Sequence, residues 1–254
     1  MAYANILISD THFGSNYSWW HPNAICDKEG GTRGRESLNP WQSYIGDCWQ
    51  HATTVWLPEV CGKTPRILLL GGDMVDGLNP RSPVITDDGD LQVAAAKLAL
   101  TPLRDTCEAC YAVSGTEFHA GKSATWDDAV AEELRATPDS TKRFARWQLW
   151  LTVDGVTIDL AHHVGGSYVP STRYGPLQRE YIEAAVSCYE GDWPRADWMV
   201  RGHGHSYRFL PGNAASVLTL PGWQARTPLA HRIRRGRPFD IGLVVLFTDE
   251  GRSW

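Results

Sequence analysis

Five short segments gather the residue types that hold divalent cations: Asp10-Thr11-His12, Gly71-Gly72-Asp73-Met74-Val75-Asp76, Gly115-Thr116-Glu117-Phe118-His119, His162-His163 and Gly202-His203-Gly204-His205. Carboxylate oxygens and imidazole nitrogens together suit borderline divalent metals, and one carboxylate can bridge two ions. In the first segment, alternate residues can point Asp10 and His12 at a single ion. The glycines of the second let the backbone turn sharply so that Asp73 projects, while Asp76 either orients a ligand or caps the turn. His119 offers an acid or a phosphate-contacting group. Adjacent residues of a strand face opposite ways, which makes His162 rather than His163 the expected ligand. His203 and His205, spaced by glycine, can reach different ions on a permissive backbone. Taken singly, each segment also reads as a turn aspartate or an ordinary loop histidine. Five of them in similar settings are better explained by one site.

The elements that must position these residues are apolar runs ending at the motifs: Ile6–Ser9, Ile67–Leu70, Tyr111–Val113, Ile158–Ala161 and Trp198–Val200. They read as buried strands. Between them, helical spacing runs from Trp41 to Val60, Leu91 to Arg104, Ala124 to Arg135 and Pro176 to Tyr189. The later part is richer in strands. Gln148–Val153 and Val156–Leu160 flank the hairpin signal Asp154-Gly155, and Ala215–Leu220 and Ile241–Phe247 are further candidates. The pattern predicts an α/β protein with mixed sheets packed between helices, spanning residues 1–254 as one domain with a long loop insertion at about 14–40. That insertion and the segment 79–90 follow motifs directly, at strand ends where open α/β sheets place ligands.

The chain has 254 residues and a net charge of −5, so there is no global attraction to nucleic acid or anionic membrane. No apolar run is long enough to cross a bilayer and no basic segment precedes an apolar core at the N-terminus, so a cytoplasmic protein is expected. Six cysteines form no regular framework, and Cys107-Glu108-Ala109-Cys110 lacks a second matching pair, which favours reduced structural thiols over a zinc site. Most of the twelve tryptophans are expected to pack rather than line a groove.

In this order, Asp-x-His, Gly-Asp-x-x-Asp, Gly-x-x-x-His, His and Gly-His-x-His resemble the calcineurin-like metallophosphoesterases, across Asp10 to His205. The resemblance implies a four-layer sandwich of two mixed β-sheets flanked by helices, the metallo-dependent phosphatase-like fold. It implies that Asp10, His12, Asp73 and His205 hold a first metal, and that Asp73 bridges to a second held also by His162 and His203. His119 would match the histidine that assists the leaving group. One departure stands out: the family's third motif is usually Gly-Asn-His followed by an acid. Thr116 here replaces the asparagine, Glu117 offers a compensating carboxylate, and His119 falls two positions later. A weaker second site is therefore expected, with Thr116, Glu117, Asp76 and His163 as candidate second-metal or supporting residues.

The implied chemistry is hydrolysis of phosphodiesters by metal-activated water with two divalent cations, manganese ahead of iron or zinc. Arg226, Arg232, Arg234, Arg235 and Arg237 form a basic cluster suited to a DNA or RNA backbone, which puts a nuclease first. A small-molecule or cyclic-nucleotide phosphodiesterase, a phosphomonoesterase, and a binding scaffold that has lost catalysis are the alternatives.

Overall fold

The computed structural model describes residues 1–78, 82–166, 170–233 and 239–254. Its strands, in chain order, are β1 (Tyr3–Ile8), β2 (Ile25–Lys28), β3 (Thr32–Arg35), β4 (Arg66–Leu70), β5 (Ala109–Val113), β6 (Ala145–Arg146), β7 (Gln148–Val153), β8 (Val156–Ala161), β9 (Trp198–Arg201), β10 (Arg208–Leu210), β11 (Ser216–Thr219), β12 (Val244–Asp249) and β13 (Arg252–Ser253). The helices are α1 (Pro40–His51), α2 (Leu57–Cys61), α3 (Gly89–Arg104), α4 (Glu117–Ala120), α5 (Thr125–Glu133), α6 (Gly175–Glu190) and α7 (Pro228–Ile233).

Six strands form one mixed sheet in the order β13-β12-β1-β4-β5-β6, and five form another in the order β10-β11-β9-β8-β7. The strands that carry the motifs run parallel within each sheet: β1 with β4, β4 with β5, and β8 with β9. Their carboxyl ends therefore lie on one side.

Side-chain alternation on the strands sorts the core into three slabs. On β1 and β4, Ala4, Ile6, Ile8, Leu68 and Leu70 pack with α1, α3 and α5 residues such as Ile45, Trp49, Leu100 and Val130. The opposite faces, Leu7, Ile67 and Leu69, meet Ile158, Leu160, Val200 and Leu218 of the second sheet. The outer face of that sheet, through Met199 and Val217, packs on Leu177 of α6. Helix, sheet, sheet and helix thus stack as the four layers that the family resemblance implies.

Local signals account for the boundaries. Asn39 caps α1 by accepting from the backbone N–H of Trp41 and Gln42, while Gln42 Oε1 accepts from the Asn39 N–H at 2.9 Å. The helix runs on through a π-turn at Ala52–Trp56 into α2, as the spacing from Trp41 to Val60 predicts. At the β7–β8 hairpin, Asp154 (φ 49°) and Gly155 (φ 84°) supply the paired left-handed residues that a tight two-residue turn needs.

Two expectations change. The segment 14–40 is not one long loop: β2 and β3 pair antiparallel within it, with Ile25 opposite Arg35 and the turn made by Gly30 and Gly31 at positive φ. Its strands lack apolar alternation because only Cys26 is buried, so pattern alone does not mark them. The last long strand begins at Val244, while Ile241 makes an isolated bridge to Gly222 beside the site. Among the described residues, no helix is long and apolar enough to cross a membrane.

Candidate metal centre

The five motif loops meet at the strand ends, and they do so on unusual backbone. Asp10, His12, Asp73, His203 and His205 all have positive φ, between 42° and 62°. Residues other than glycine rarely adopt this region, and such strain persists where the surrounding structure holds it and a function uses it. Close approach also needs glycine at set places. A Cβ on Gly115 would collide with the Asp73 carboxylate and amide nitrogen, and one on Gly202 would strike Ser9 Oγ.

Asp10 is fully buried. Its Oδ2 accepts from Ser9 Oγ at 2.6 Å and from the His203 N–H at 3.0 Å. The other oxygen, Oδ1, lies 3.1 Å from His205 Nε2 and 3.8 Å from His12 Nε2, and those two nitrogens are 3.1 Å apart. Asp73 is divided similarly. Its Oδ1 accepts from the Thr116 N–H at 2.7 Å, while Oδ2 lies 3.1 Å from His162 Nε2. The His162 Nδ1–H donates to the Gly71 carbonyl at 2.7 Å, which leaves Nε2 of the neutral ring available as a ligand atom.

Three groups of donor atoms result, each within 4.8 Å: Asp10, His12 and His205; His12, Asp73 and His119; and Asp73, His162 and His203. His12 and Asp73 belong to two groups each, so the three adjoin. Asp10 Oδ1 and His162 Nε2 are buried with no hydrogen-bond partner. Buried polar atoms in that condition are costly unless a ligand satisfies them. The residues present fit divalent cations.

The electrostatics agree with tight mutual dependence. Burial opposes charge on His12, but the Asp10, Asp76 and Asp73 carboxylates outweigh it and raise its pKa to about 10. Burial likewise opposes charge on His162, and Asp73 with Asp10 raises it to about 9. Burial works against the Asp10 and Asp73 carboxylates too, yet the surrounding imidazoles hold both below the usual range. His203 goes the other way, pushed down to about 4 by desolvation and by the charge of His162.

The remaining candidates sort clearly. Asp76 is a fully buried hub: its Oδ1 lies 3.2 Å from His12 Nδ1 and 3.4 Å from His119 Nδ1, and accepts from Gln224 Nε2 at 3.3 Å. The His119 Nδ1–H donates to the Asp76 carbonyl at 2.8 Å, leaving Nε2 for chemistry. Thr116 directs its hydroxyl to Asp73 Oδ1 at 3.1 Å, so it supports the carboxylate. Glu117 is exposed and belongs to none of the three groups, so it does not stand in for the missing asparagine side chain. His163 is exposed next to His162 and is likewise outside them. Arg226 and Arg232 lie within the described residues; Arg234, Arg235 and Arg237 lie outside them.

One residue escapes a motif-based reading. Asp127, buried in the first turn of α5, accepts from the backbone N–H of Asp73 (3.0 Å), Met74 (2.9 Å) and Gly115 (2.7 Å). A single carboxylate ties the second and third motif loops together. Burial, then the Asp73 charge, pushes its pKa up to about 6. Its only signal in the sequence is an acidic pair opening a helix, which reads as ordinary helix-dipole chemistry.

No protein-family model and no curated protein matches the chain. Among solved structures it is similar to Vps29 of Entamoeba histolytica complexed with zinc, at 13% identity and TM-score 0.44, covering 98% of this chain and 88% of that one. It is also similar to an archaeal phosphodiesterase, at 9% identity and TM-score 0.41 with 99% and 97% covered. A third is a conserved Streptococcus pneumoniae protein described as a predicted phosphoesterase, at 12% identity and TM-score 0.39 with 98% and 84% covered. What the chain has in common with calcineurin-like metallophosphoesterases is the order of its motifs and the layered fold that positions them.

Proposed function

We propose that this protein is a phosphodiesterase dependent on two divalent cations. The observation that carries the reading is the sharing of Asp73 and His12 among three adjoining groups of Asp and His donors at the ends of parallel strands. Asp10, His12, Asp73 and His205 would hold one cation and Asp73, His162 and His203 the other. When bound, such a pair lowers the pKa of water, polarises phosphoryl oxygens and neutralises charge that develops in an in-line displacement. Mixed carboxylate and imidazole donors suit manganese first, then iron or zinc, and disfavour magnesium.

The chain's own groups do the rest. Asp76 orients His12 and His119 through their Nδ1 atoms, so both rings present Nε2. His119, partly exposed and in edge contact with His12, is placed to give a proton to the departing ester oxygen. Thr116 and Asp127 hold the Asp73 carboxylate and backbone against the third motif. Nucleic acid is the favoured natural diester, and action on it would make the enzyme a nuclease.

The test is hydrolysis of bis(4-nitrophenyl) phosphate with added manganese, alongside metal analysis of the protein. Turnover should fall at least about 100-fold in Asp73→Asn while the thermal unfolding of the metal-free chain is largely kept. Near-normal turnover by that folded variant would overturn the reading. Metal bound at the centre without turnover in the wild type would instead favour a binding scaffold.

A further inference from the structure

Beside the centre lies a pocket of about 420 Å³ that the proposed chemistry does not use, lined by Tyr17, Trp41, Arg226, His231, Phe239 and Ile241 among others. This volume is in the range typical of small-molecule sites, roughly 300–1,000 Å³. It adjoins the metal ligands directly. The Phe239 ring packs on the His205 ring with centroids 4.7 Å apart, and the Asp240 N–H donates to the His205 carbonyl at 3.1 Å. The segment leading into Arg226 is tied to the same centre, because the Trp223 N–H donates to the Asp10 carbonyl at 2.9 Å and Gln224 Nε2 donates to Asp76.

Two properties define the occupant. The walls offer aromatic faces, including Trp41, which is 57% exposed at the start of α1 and so leaves an indole surface uncovered. The charge is positive: Arg226 brings a guanidinium whose Nε and Nη2 are buried without a hydrogen-bond partner among the described residues. A pocket-lining guanidinium whose charge no carboxylate among the described residues neutralises suits an anionic oxygen. Aromatic faces hold a planar base by stacking.

We propose that this pocket receives the nucleobase of a nucleotide ester whose phosphate lies at the metal centre, with Arg226 reaching an anionic phosphate oxygen and Trp41 stacking on the base. The assignment rests on the phosphodiesterase reading for the placement of the phosphate. It makes the substrate class nucleotidyl and distinguishes the pocket from one for aliphatic esters.

The experiment measures equilibrium binding to the manganese-loaded protein of thymidine 5′-phosphonate, whose carbon–phosphorus bond resists hydrolysis, against methylphosphonate, which lacks the base. The nucleoside ligand should bind at least about tenfold more tightly. Trp41→Ala should remove most of that preference, and Arg226→Gln should weaken both ligands. Tyr189→Ala, 92% exposed on α6, serves as the control expected to change neither. Equal affinity of the two ligands for the wild type, or a preference that survives in Trp41→Ala, overturns the proposal. A parallel assay on thymidine 5′-(4-nitrophenyl) phosphate and methyl 4-nitrophenyl phosphate separates the two readings. If neither is hydrolysed the phosphodiesterase reading fails, while the base pocket still stands or falls on the binding ratio.

Discussion

Two buried charged clusters lie side by side along β9 and the loop that leaves it, and they solve the problem of burial in opposite ways. Arg201, 2% exposed at the end of the strand, is closed on every side. Its Nη2 pairs with Asp159 at 2.7 Å, its Nε with Glu180 at 2.8 Å, and its Nη1 donates to the Asp159 and Val200 carbonyls at 3.1 Å. Burial works against its charge, and Asp159 with Glu180 restores it. Two residues later the chain enters the candidate metal centre, where His203 and His205 have left-handed backbone and where Asp10 Oδ1 and His162 Nε2 make no aligned hydrogen bond, facing His205 Nε2 and Asp73 Oδ2 at 3.1 Å. The first cluster is complete within the protein. The second is held in strain with donor atoms left over, which is what a site for an external ion requires.

The comparison can be broken at either end. The largest effect is expected for Arg201→Met, which leaves Asp159 buried without its cation and should cost about 3–5 kcal/mol in urea unfolding. A loss under about 1 kcal/mol would mean the cluster is not the closed structural unit described. At the centre, Asp76→Asn should act on metal rather than fold, lowering manganese affinity about 10- to 100-fold by calorimetric titration. If it destabilised the metal-free chain as strongly as Arg201→Met and spared affinity, Asp76 would belong with the structural cluster.

Proton linkage should separate the clusters further. In the metal-free chain His12 and His162 have folded pKa values of about 10 and about 9, above the unfolded value near 6.5. The stability they contribute is fully present below about 6.5 and is lost as pH rises through 9 to 10. The melting temperature of the metal-free protein should therefore fall over that window. Cation binding near pH 7.5 should release protons, measurable as a dependence of the titration heat on buffer ionisation enthalpy. Binding without proton release would show that these imidazoles are not held protonated by the carboxylates around them in the metal-free chain. The smallest effect is expected for His163→Ala, which should leave manganese content unchanged, whereas His162→Ala should reduce it.

Much of this was legible from residue order. The motif strands, the helices at 89–104 and 175–190 and the Asp154-Gly155 hairpin all follow from apolar runs, helical spacing and turn residues. Cys26 alone turns inward from β2 and β3, so alternation gave no warning of that pair. Thr116 looked like a weak replacement ligand by comparison with asparagine; in three dimensions its hydroxyl supports Asp73. Asp127 was hidden because its partners are backbone N–H groups of other loops, which carry no side-chain identity to match.

Sequence by itself determined the candidate donor residues and the strand ends that carry them, since these depend on residue type and local periodicity. Only the tertiary structure decided which atoms converge. The split of Asp10 and Asp73 into one engaged and one facing oxygen and the clamp made by Asp127 depend on contacts between segments distant in the chain. A pattern along one strand has no access to the direction from which another loop approaches.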